Sequence, residues 1–336
     1  MASKKTVPFF SVIIPTYNPK NYLPALLESI SNNECLKQIE VIISDDCSDE
    51  PFDDVLKQFK NVKINVITND HHTGFPRTGR QHGAEEAKGI WFCFADQDDC
   101  FLDNAFDKLY QFINTVKPTN YIMTDFIEEQ TETGQKILRN RKSGWTHGKF
   151  YEKAFWDKYG ICYDSIKYCE DINLTTKLDC LITVEKINVY EFNEPLYIWK
   201  RRKDSLSDIE YFKKSMPDYI KATLGVIIEY VDKYVTDASV IGILNVKFIV
   251  ALLHVYFYYQ SKSLSESKQE LFRSIFVLQP IFSRFKWITG FKNGDILGFL
   301  NNELIGIYNQ TRYEDSRQIP FIEQIAFKDW LKLYLD

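Results

Sequence analysis

Four short segments in the first part of the chain have the length and apolar pattern of β-strands, and the third of them alternates between apolar and polar residues. They are residues 10–14, 39–43, 62–66 and 91–95. Between and after them, apolar residues recur at the three- and four-residue spacing of a helix face. These helical segments are residues 22–33, 52–59 and 78–88, and a fourth that begins at Asp103. The alternation predicts an α/β fold in which helices cover both faces of a mainly parallel sheet.

The pattern becomes less regular after residue 115. Two segments are strand-like, residues 121–126 and 184–192, and two have helical spacing, residues 145–159 and 171–179. Glu132–Gln135 has the composition of a hairpin turn. Beyond residue 208 the spacing is helical, and no Gly/Ser linker separates the parts. We therefore expect two domains, residues 1–208 and a mostly helical region at 209–336.

Bulk composition excludes several classes of protein. The chain has 336 residues, 45% of them hydrophobic, which is enough to bury a sizeable core. Its net charge of −5 gives no general affinity for polyanions, so nucleic-acid binding is not expected. Seven Cys without a Cys-x-x-Cys pair indicate reduced thiols, and five His without a His-Glu-x-x-His pattern argue against a zinc site.

Hydropathy favours a cytoplasmic protein. The N-terminus shows no long apolar segment before the first strand, so we expect no secretion signal. The most apolar stretch, residues 240–259, is interrupted by Asn245, Lys247 and His254. A charge in the middle of a membrane span is costly, so this stretch is interpreted as a buried helix.

Polar clusters follow three of the predicted strands, at Pro15–Asn18, Asp45–Asp46 and Asp96–Asp99. In a parallel sheet these strand ends meet at one edge, where ligands bind. Three carboxylates within the last cluster repel one another unless a positive charge lies among them. A divalent cation that holds a diphosphate would supply it. The alternative is a solvated acidic loop before a helix that Asp103 caps.

Together, Ser11–Asn18, Val41–Asp49 and Phe94–Asp99 resemble glycosyltransferase family 2. The resemblance covers residues 8–205, and the order and spacing of its motifs make it specific. It implies the GT-A fold, a nucleotide-diphospho-sugar donor and inversion of the anomeric carbon. Residues 8–115 would then be the nucleotide-binding half and 116–208 the acceptor half.

Under this resemblance, the first motif lines the pocket for the base with Pro15, Thr16 and Tyr17. An aromatic face such as Tyr17 can stack on a flat base, although a core aromatic is the alternative. Asp46 matches the carboxylate that accepts the imide N–H of uracil. Asp49 is expected only to cap the following helix.

The resemblance assigns two arginines to the donor. Arg80 matches the family arginine near the metal motif and the diphosphate, although Gln81 replaces the usual Asn after it and Arg77 is a second candidate. Arg202 lies in a basic segment that closes over the diphosphate in many relatives. The alternatives are surface charges for Arg80 and, for the basic segment, a solvated loop or attraction to an anionic membrane.

The resemblance assigns metal binding and acid–base catalysis to carboxylates at residues 96–99 and 170–171. Asp98 matches the ligand of Mn²⁺ or Mg²⁺, which would neutralise charge on the departing diphosphate. Asp96 matches the residue that contacts the ribose or orders the loop, and Asp99 would support the metal site or lie near the sugar. Asp171, in the pair with Glu170, matches the general base. An acidic pair at a helix N-terminus is the alternative.

The resulting hypothesis is an inverting, hexosyltransferase-type enzyme of bacterial surface-polysaccharide synthesis. It would move one sugar from a UDP-sugar to a hydroxyl of a glycan or lipid-linked acceptor. UDP is favoured by its frequency in the family, and the lack of predicted membrane spans argues against a processive synthase. The alternatives are a nucleotidyltransferase, whose Gly-rich signature is missing at the first strand turn, and a scaffold that has lost its catalytic activity.

The C-terminal region resembles no family that we can name. Its helical, aromatic-rich character is compatible with packing on the catalytic domain, self-association into a homo-oligomer or acceptor binding. Residues 282–287 mix basic and aromatic side chains, which is also compatible with peripheral association at the inner face of the plasma membrane.

Overall fold

The computed structural model describes residues 7–116, 119–141, 145–163 and 170–202, and six helical positions after them. The chain divides into two compact units, residues 1–205 and 206–336. The six positions are the described part of the second unit. The predictions for residues 209–336, including the segment at 282–287, therefore lie almost entirely outside the described residues.

A sheet of nine strands forms the centre of the first unit in the described residues. The strands are β1 (Phe10–Thr16), β2 (Ile39–Asp45), β3 (Lys63–Thr68), β4 (Trp91–Phe94), β5 (Cys100–Phe101), β6 (Tyr121–Gln130), β7 (Lys136–Arg139), β8 (Lys149–Glu152) and β9 (Val189–Arg201). Their order is β3-β2-β1-β4-β8-β6-β9-β5, and β7 pairs with β6.

The first four strands are parallel, as the sequence predicts. β1 pairs with β2 on one side and with β4 on the other, and β2 pairs with β3. Thr16 lies opposite Asp45, so the carboxyl ends of β1 and β2 are at the same level. The polar clusters that follow these strands are consequently at one edge of the sheet.

The second half of the sheet is mixed, because β8 is antiparallel to both β4 and β6. The prediction of a helix across residues 145–159 is therefore wrong for Lys149–Glu152. Phe150 and Tyr151 are both buried, one on each side of the sheet. A strand covered on both faces loses the alternation of polar and apolar residues, so its pattern resembles that of a buried helix.

Six α-helices are described: α1 (Leu23–Ser31), α2 (Asp53–Leu56), α3 (Pro76–Glu86), α4 (Ala105–Thr115), α5 (Lys153–Lys158) and α6 (Glu170–Glu185). The prediction that Asp103 caps α4 is wrong, since that helix begins at Ala105 without a side-chain cap. Among the helices described, none combines the length and apolar character needed to span a bilayer.

Helix α3 lies unusually close to β1 because two of its residues are glycines. A Cβ atom at Gly79 would come within 2.9 Å of the Pro15 Cβ, and one at Gly83 would overlap the side chain of Ile13. Real Cβ atoms cannot approach so closely, so a larger residue at either position would push the helix outward. The close packing places Arg80, which follows Gly79, in the interior at the edge of the sheet.

Candidate active site

The predicted meeting of polar clusters at one edge of the sheet is confirmed by direct contacts. The side chain of Gln97, which follows β4, pairs with the backbone of Tyr17, which follows β1. Its Oε1 accepts from the Tyr17 N–H at 2.9 Å, and its Nε2 donates to the Tyr17 carbonyl at 3.0 Å. The loops after β1 and β4 are thereby held together.

Tyr17 is exposed at this edge and is not a core aromatic. Its ring lies 4.3 Å from the ring of His72, and its hydroxyl donates to Asp49 at 2.8 Å. The expectation that Asp49 caps a helix is therefore wrong, because α2 begins only at Asp53. Pro15 and Thr16, which precede Tyr17, are buried and form the end of β1. The Tyr17 ring is 37% exposed beside His72, and its contact with a nucleotide base stays a prediction.

Asp46 anchors the loop that leads into α3. Its buried carboxylate accepts hydrogen bonds from the backbone N–H groups of Thr73 and Gly74 at 2.9 and 2.7 Å. The side chains of Asn69 and Thr73 also donate to it, at 2.6 and 2.9 Å. Burial opposes ionisation, but these donors outweigh it and hold the pKa of Asp46 below its ordinary value. A contact between Asp46 and the base stays a prediction.

Arg80 joins two of the predicted site motifs inside the protein. Its guanidinium donates to Asp96, after β4, and to Glu170, at the start of α6, at 2.6 Å each. Burial disfavours the charge, but the facing carboxylates hold the pKa of Arg80 well above its ordinary value. Both terminal nitrogens of Arg80 therefore donate to carboxylates, and a contact between Arg80 and the diphosphate stays a prediction.

Asp98 and Arg202 form an ion pair, which brings the predicted basic segment to the predicted metal motif. The Arg202 Nε donates to the Asp98 carboxylate at 2.8 Å, and a second guanidinium nitrogen donates to the same oxygen. The guanidinium also lies 4.4 Å from the ring centre of Tyr22. Burial and the neighbouring Asp96 raise the pKa of Asp98, while Arg202 opposes the shift.

Asp99 is buried and ties the acidic loop to β9. It accepts a hydrogen bond from the Tyr197 hydroxyl at 2.6 Å and another from the Lys200 backbone N–H at 2.8 Å. Burial, together with Asp96 and Asp98, raises the pKa of Asp99 well above its ordinary value. Asp99 is thus a third carboxyl group, shielded from water, next to those of Asp96 and Asp98.

His147 also lies at this cluster. It begins a segment, His147–Tyr151, that resembles the family's segment before the Glu-Asp pair, but the sequence did not predict that the imidazole reaches the acidic loop. Its ring lies nearly parallel to those of Tyr197 and Trp199, with centroids 5.4 and 5.2 Å away. Burial lowers the pKa of His147 to about 4, so the imidazole is neutral at physiological pH. One donor atom each of His147, Asp96 and Asp99 lies within 4.8 Å of the others, a donor set that fits a divalent cation.

Asp171 is the second residue of α6 and is partly buried. Its neighbour Glu170 is held by Arg80, which also holds Asp96. The predicted general base is therefore attached to the same buried network as the acidic loop. Its catalytic role stays a prediction.

The chain is similar to several known proteins. Residues 11–169 match the family model for glycosyl transferase family 2. An uncharacterized glycosyltransferase of Haemophilus influenzae is 30% identical over 262 residues, which cover 73% of this chain and 84% of that protein. The minor teichoic acid biosynthesis protein GgaA of Bacillus subtilis is 26% identical, over 63% of this chain and 52% of its own length.

A solved structure shows the same fold. Residues 1–349 of Staphylococcus aureus TarS, in complex with UDP-GlcNAc, superpose with a TM-score of 0.66 and 18% sequence identity. The match covers 82% of this chain and 81% of that one. The predicted fold class, an α/β sheet of GT-A type, is thereby confirmed.

Proposed function

The chain belongs to glycosyltransferase family 2, and from this premise we propose that it adds a single sugar to a growing surface polysaccharide. The donor is a UDP-sugar, the acceptor is a hydroxyl of a glycan or lipid-linked glycan, and the anomeric carbon is inverted. The observation that carries the proposal is Arg80, which ties the acidic loop at Asp96 to the helix that bears Asp171.

The nucleotide is assigned to the exposed edge beside Tyr17. The exposed part of the Tyr17 ring offers a stacking surface for a base, and the buried Pro15 and Thr16 at the end of β1 are assigned to line the same pocket. Asp46 holds the adjoining loop and accepts the imide N–H of uracil. The structure of TarS with UDP-GlcNAc supports UDP as the nucleotide.

The diphosphate is assigned to the position of the ion pair between Asp98 and Arg202. Asp98, next to Asp96, would hold Mn²⁺ or Mg²⁺ in place of its present partner Arg202, and the ion would supply Lewis-acid stabilisation of the departing diphosphate. Arg202 is part-buried beside Asp98 and is the guanidinium nearest to this position in the described residues. Its planar fork suits a bidentate contact with phosphate oxygens.

Asp171 is assigned as the general base. It removes the proton of the acceptor hydroxyl as the oxygen forms a bond to the anomeric carbon and the bond to the UDP oxygen breaks. Because the nucleophile enters opposite the leaving group, the configuration at that carbon inverts. The fixed position of Glu170 on Arg80 restrains the start of the helix that carries this base.

The family and the charge pattern support a proposal for the acceptor and for the cellular location. GgaA is named for teichoic acid biosynthesis, which supports an acceptor in surface-polymer assembly. The basic run Lys200–Lys203 favours an anionic acceptor or an anionic membrane surface. We place the enzyme in the cytoplasm, with peripheral association at the inner face of the plasma membrane and self-association through residues 209–336.

UDP release from a panel of donors tests the proposed function. The full chain is incubated with UDP-GlcNAc, UDP-GalNAc, UDP-glucose and UDP-galactose in Mn²⁺, and free UDP is followed over time. One donor is expected to be cleaved, and Asp98→Asn is expected to slow its cleavage by about 100-fold or more, since metal assistance contributes several kcal/mol.

The matched control is Asp103→Asn, an exposed carboxylate just beyond the acidic loop, which should leave the rate unchanged. Equal release by Asp98→Asn and the wild type would show that donor cleavage does not need Asp98. Release from none of the donors would favour a scaffold that has lost its catalytic activity. The intact Asp46, Asp98 and Asp171 weigh against that alternative.

A further inference from the structure

We propose that Arg139 and Arg201, held in place by the buried carboxylate of Glu128, form a subsite that binds an anionic group of the acceptor. The group is a phosphate or a carboxylate that lies along the acceptor, away from the hydroxyl that reacts. The role of the subsite in acceptor choice rests on the proposed function. The binding of the anion needs neither a donor nor a metal ion.

The subsite lies on a part of the sheet that projects past the edge where the acidic loop lies. Cys93 of β4 pairs with Phe150 of β8, and Phe150 pairs in turn with Ile122 of β6, so Ile122 is level with the end of β4. Glu128 comes six residues later in β6, which at about 3.3 Å per residue is roughly 20 Å further. The ends of β6 and β9 and the hairpin to β7 thus form a wall beside the acidic loop.

Three neighbouring strands bring the three charged side chains to one face of this wall. Phe126 lies opposite Arg139 between β6 and β7, and Gln130 lies opposite Arg201 between β6 and β9. Paired residues share a face of the sheet, and so do residues two apart along a strand. Glu128, which is two residues from both Phe126 and Gln130, therefore lies between the two arginines.

Glu128 fixes both guanidinium groups before any ligand arrives. Its carboxylate is fully buried, accepts from the Arg139 Nε at 2.6 Å, and lies 3.5 Å from a terminal nitrogen of Arg201. The Arg201 guanidinium also lies 5.6 Å from the ring centre of Trp199, within the range of a cation–π contact. A guanidinium is a planar fork that matches two oxygens of a phosphate or carboxylate. Forks that are already held lose less freedom when they bind.

The charge of these groups favours an anion. Two guanidiniums share the one carboxylate of Glu128, so the three groups together carry one positive charge. The side chains of Arg139 and Arg201 are 25% and 13% exposed, so water screens this charge only in part. On the other face of the same hairpin, Lys136 pairs with Glu129 and that pair is neutral. An anion is therefore attracted to the face of Arg139 and Arg201.

A row of aromatic side chains joins the subsite to the acidic loop. Tyr197, Trp199 and Arg201 follow one another on the same face of β9, and the Tyr197 hydroxyl donates to Asp99 at 2.6 Å. The partly buried ring of Trp145 lies 5.3 Å from that of Trp199. Arg201 is four residues from Tyr197, roughly 13 Å along the strand. The anion recognised here is therefore not on the sugar that reacts but further along the acceptor chain.

Fluorine NMR of the full chain, labelled with 5-fluorotryptophan, tests the subsite without nucleotide or metal. The signal of Trp199, assigned through Trp199→Phe, reports on the neighbouring Arg201. A trimer of glycerol phosphate and a trimer of glucuronic acid supply the two kinds of anion, and maltotriose is the neutral probe. At least one anionic trimer is expected to shift the signal in a saturable way, and maltotriose should bind about tenfold or more weakly. The tighter of the two anionic trimers identifies phosphate or carboxylate as the preferred group.

Arg139→Gln and Arg201→Gln should each weaken binding of the anionic trimer by about tenfold or more, because each removes a charged fork. The matched control is Lys136→Gln, which removes a cation from the other face of the same hairpin and should keep the affinity within about twofold. If Arg139→Gln does not fold, Arg139→Lys serves instead. It keeps a cation beside Glu128 but loses the fork, and should weaken binding by about threefold or more.

A cluster of buried ion pairs can also serve stability alone. In that case the arginine variants would melt at lower temperature and bind the trimers as the wild type does, which would overturn the proposal. No saturable shift with either anionic trimer, or an equal loss of binding in Lys136→Gln, would overturn it as well. Failure of UDP release would leave these binding results unaffected, whereas UDP release without binding of either trimer would refute the subsite alone.

Discussion

Replacement of Asp171 by Asn is expected to slow sugar transfer by about 10²–10⁴-fold, the usual contribution of a general base. Asn has nearly the same shape as Asp but cannot accept the proton of the acceptor hydroxyl. Asp171 belongs to α6 and not to the loops at Tyr17, Asp46 or Asp98 that are assigned to UDP. The variant should therefore bind UDP with unchanged affinity, so that kcat falls while the Kd for UDP measured by calorimetry does not.

Glu185→Gln is the matched control for this variant, because it neutralises an exposed carboxylate at the other end of the same helix. It should transfer sugar at the rate of the wild type. A transfer rate for Asp171→Asn within tenfold of the wild type would show that another group takes the proton. The acidic pair would then have only its role at the helix N-terminus.

Arg80→Met is expected to lower the free energy of unfolding by about 3–5 kcal/mol, which is the typical cost of removing one partner of a buried ion pair. Met occupies similar space but leaves the carboxylates of Asp96 and Glu170 facing each other without a cation. Urea denaturation followed by circular dichroism measures the loss. Donor cleavage should fall as well, because the acidic loop is no longer fixed to α6.

Lys108→Met is the control, since it breaks an ion pair with Glu194 whose side chains are 47% and 56% exposed. Such pairs contribute about 0–1 kcal/mol. Equal stability of Arg80→Met and Lys108→Met at neutral pH would contradict the buried network.

The stability that the Arg80–Asp96 pair contributes should depend on pH. Burial alone would raise the pKa of Asp96, but Arg80 holds it below the ordinary carboxyl value. The contribution is therefore present above the ordinary carboxyl pKa and is lost as the pH falls through the pKa of the folded state. The difference in the free energy of unfolding between Arg80→Met and the wild type should consequently shrink in acid.

The parallel half of the sheet could be predicted from the sequence because its signals are local. Each strand is a short apolar run, and the polar residues that close β1, β2 and β4 mark the edge where the site forms. Parallel pairing then places those ends together whatever the details of packing. The contact between Gln97 and Tyr17 is the direct outcome of that rule.

Two groups of features could not be predicted because long-range contacts decide them. Asp49 and Asp103 have the residue type and position of helix caps, but neither caps a helix. The Asp49 carboxylate instead accepts hydrogen bonds from the side chains of Tyr17 and Asn18, which are distant in the sequence. His147 becomes part of the site only because β8 is inserted between β4 and β6. No periodicity in the sequence reports that insertion.

Arg80 illustrates a case between these two. Motif position indicated that this arginine belongs to the site, but its role depends on where Glu170 lies in three dimensions. The glycines at positions 79 and 83 were the available signal, since they allow α3 to approach β1 and bury the guanidinium. What the sequence could not show is that both terminal nitrogens are taken by carboxylates.

The binding of nucleotides tests the central claim most directly. The thermal stability of the full chain is measured with UDP, dTDP, GDP and CMP, each with Mn²⁺ or with EDTA. A ligand at about 100 times its Kd adds roughly 2.7 kcal/mol to the native state. We expect UDP to raise the melting temperature in Mn²⁺ and to lose most of this effect in EDTA. A folded protein that responds to none of the four nucleotides would contradict a donor site at Tyr17, Asp46 and Asp98.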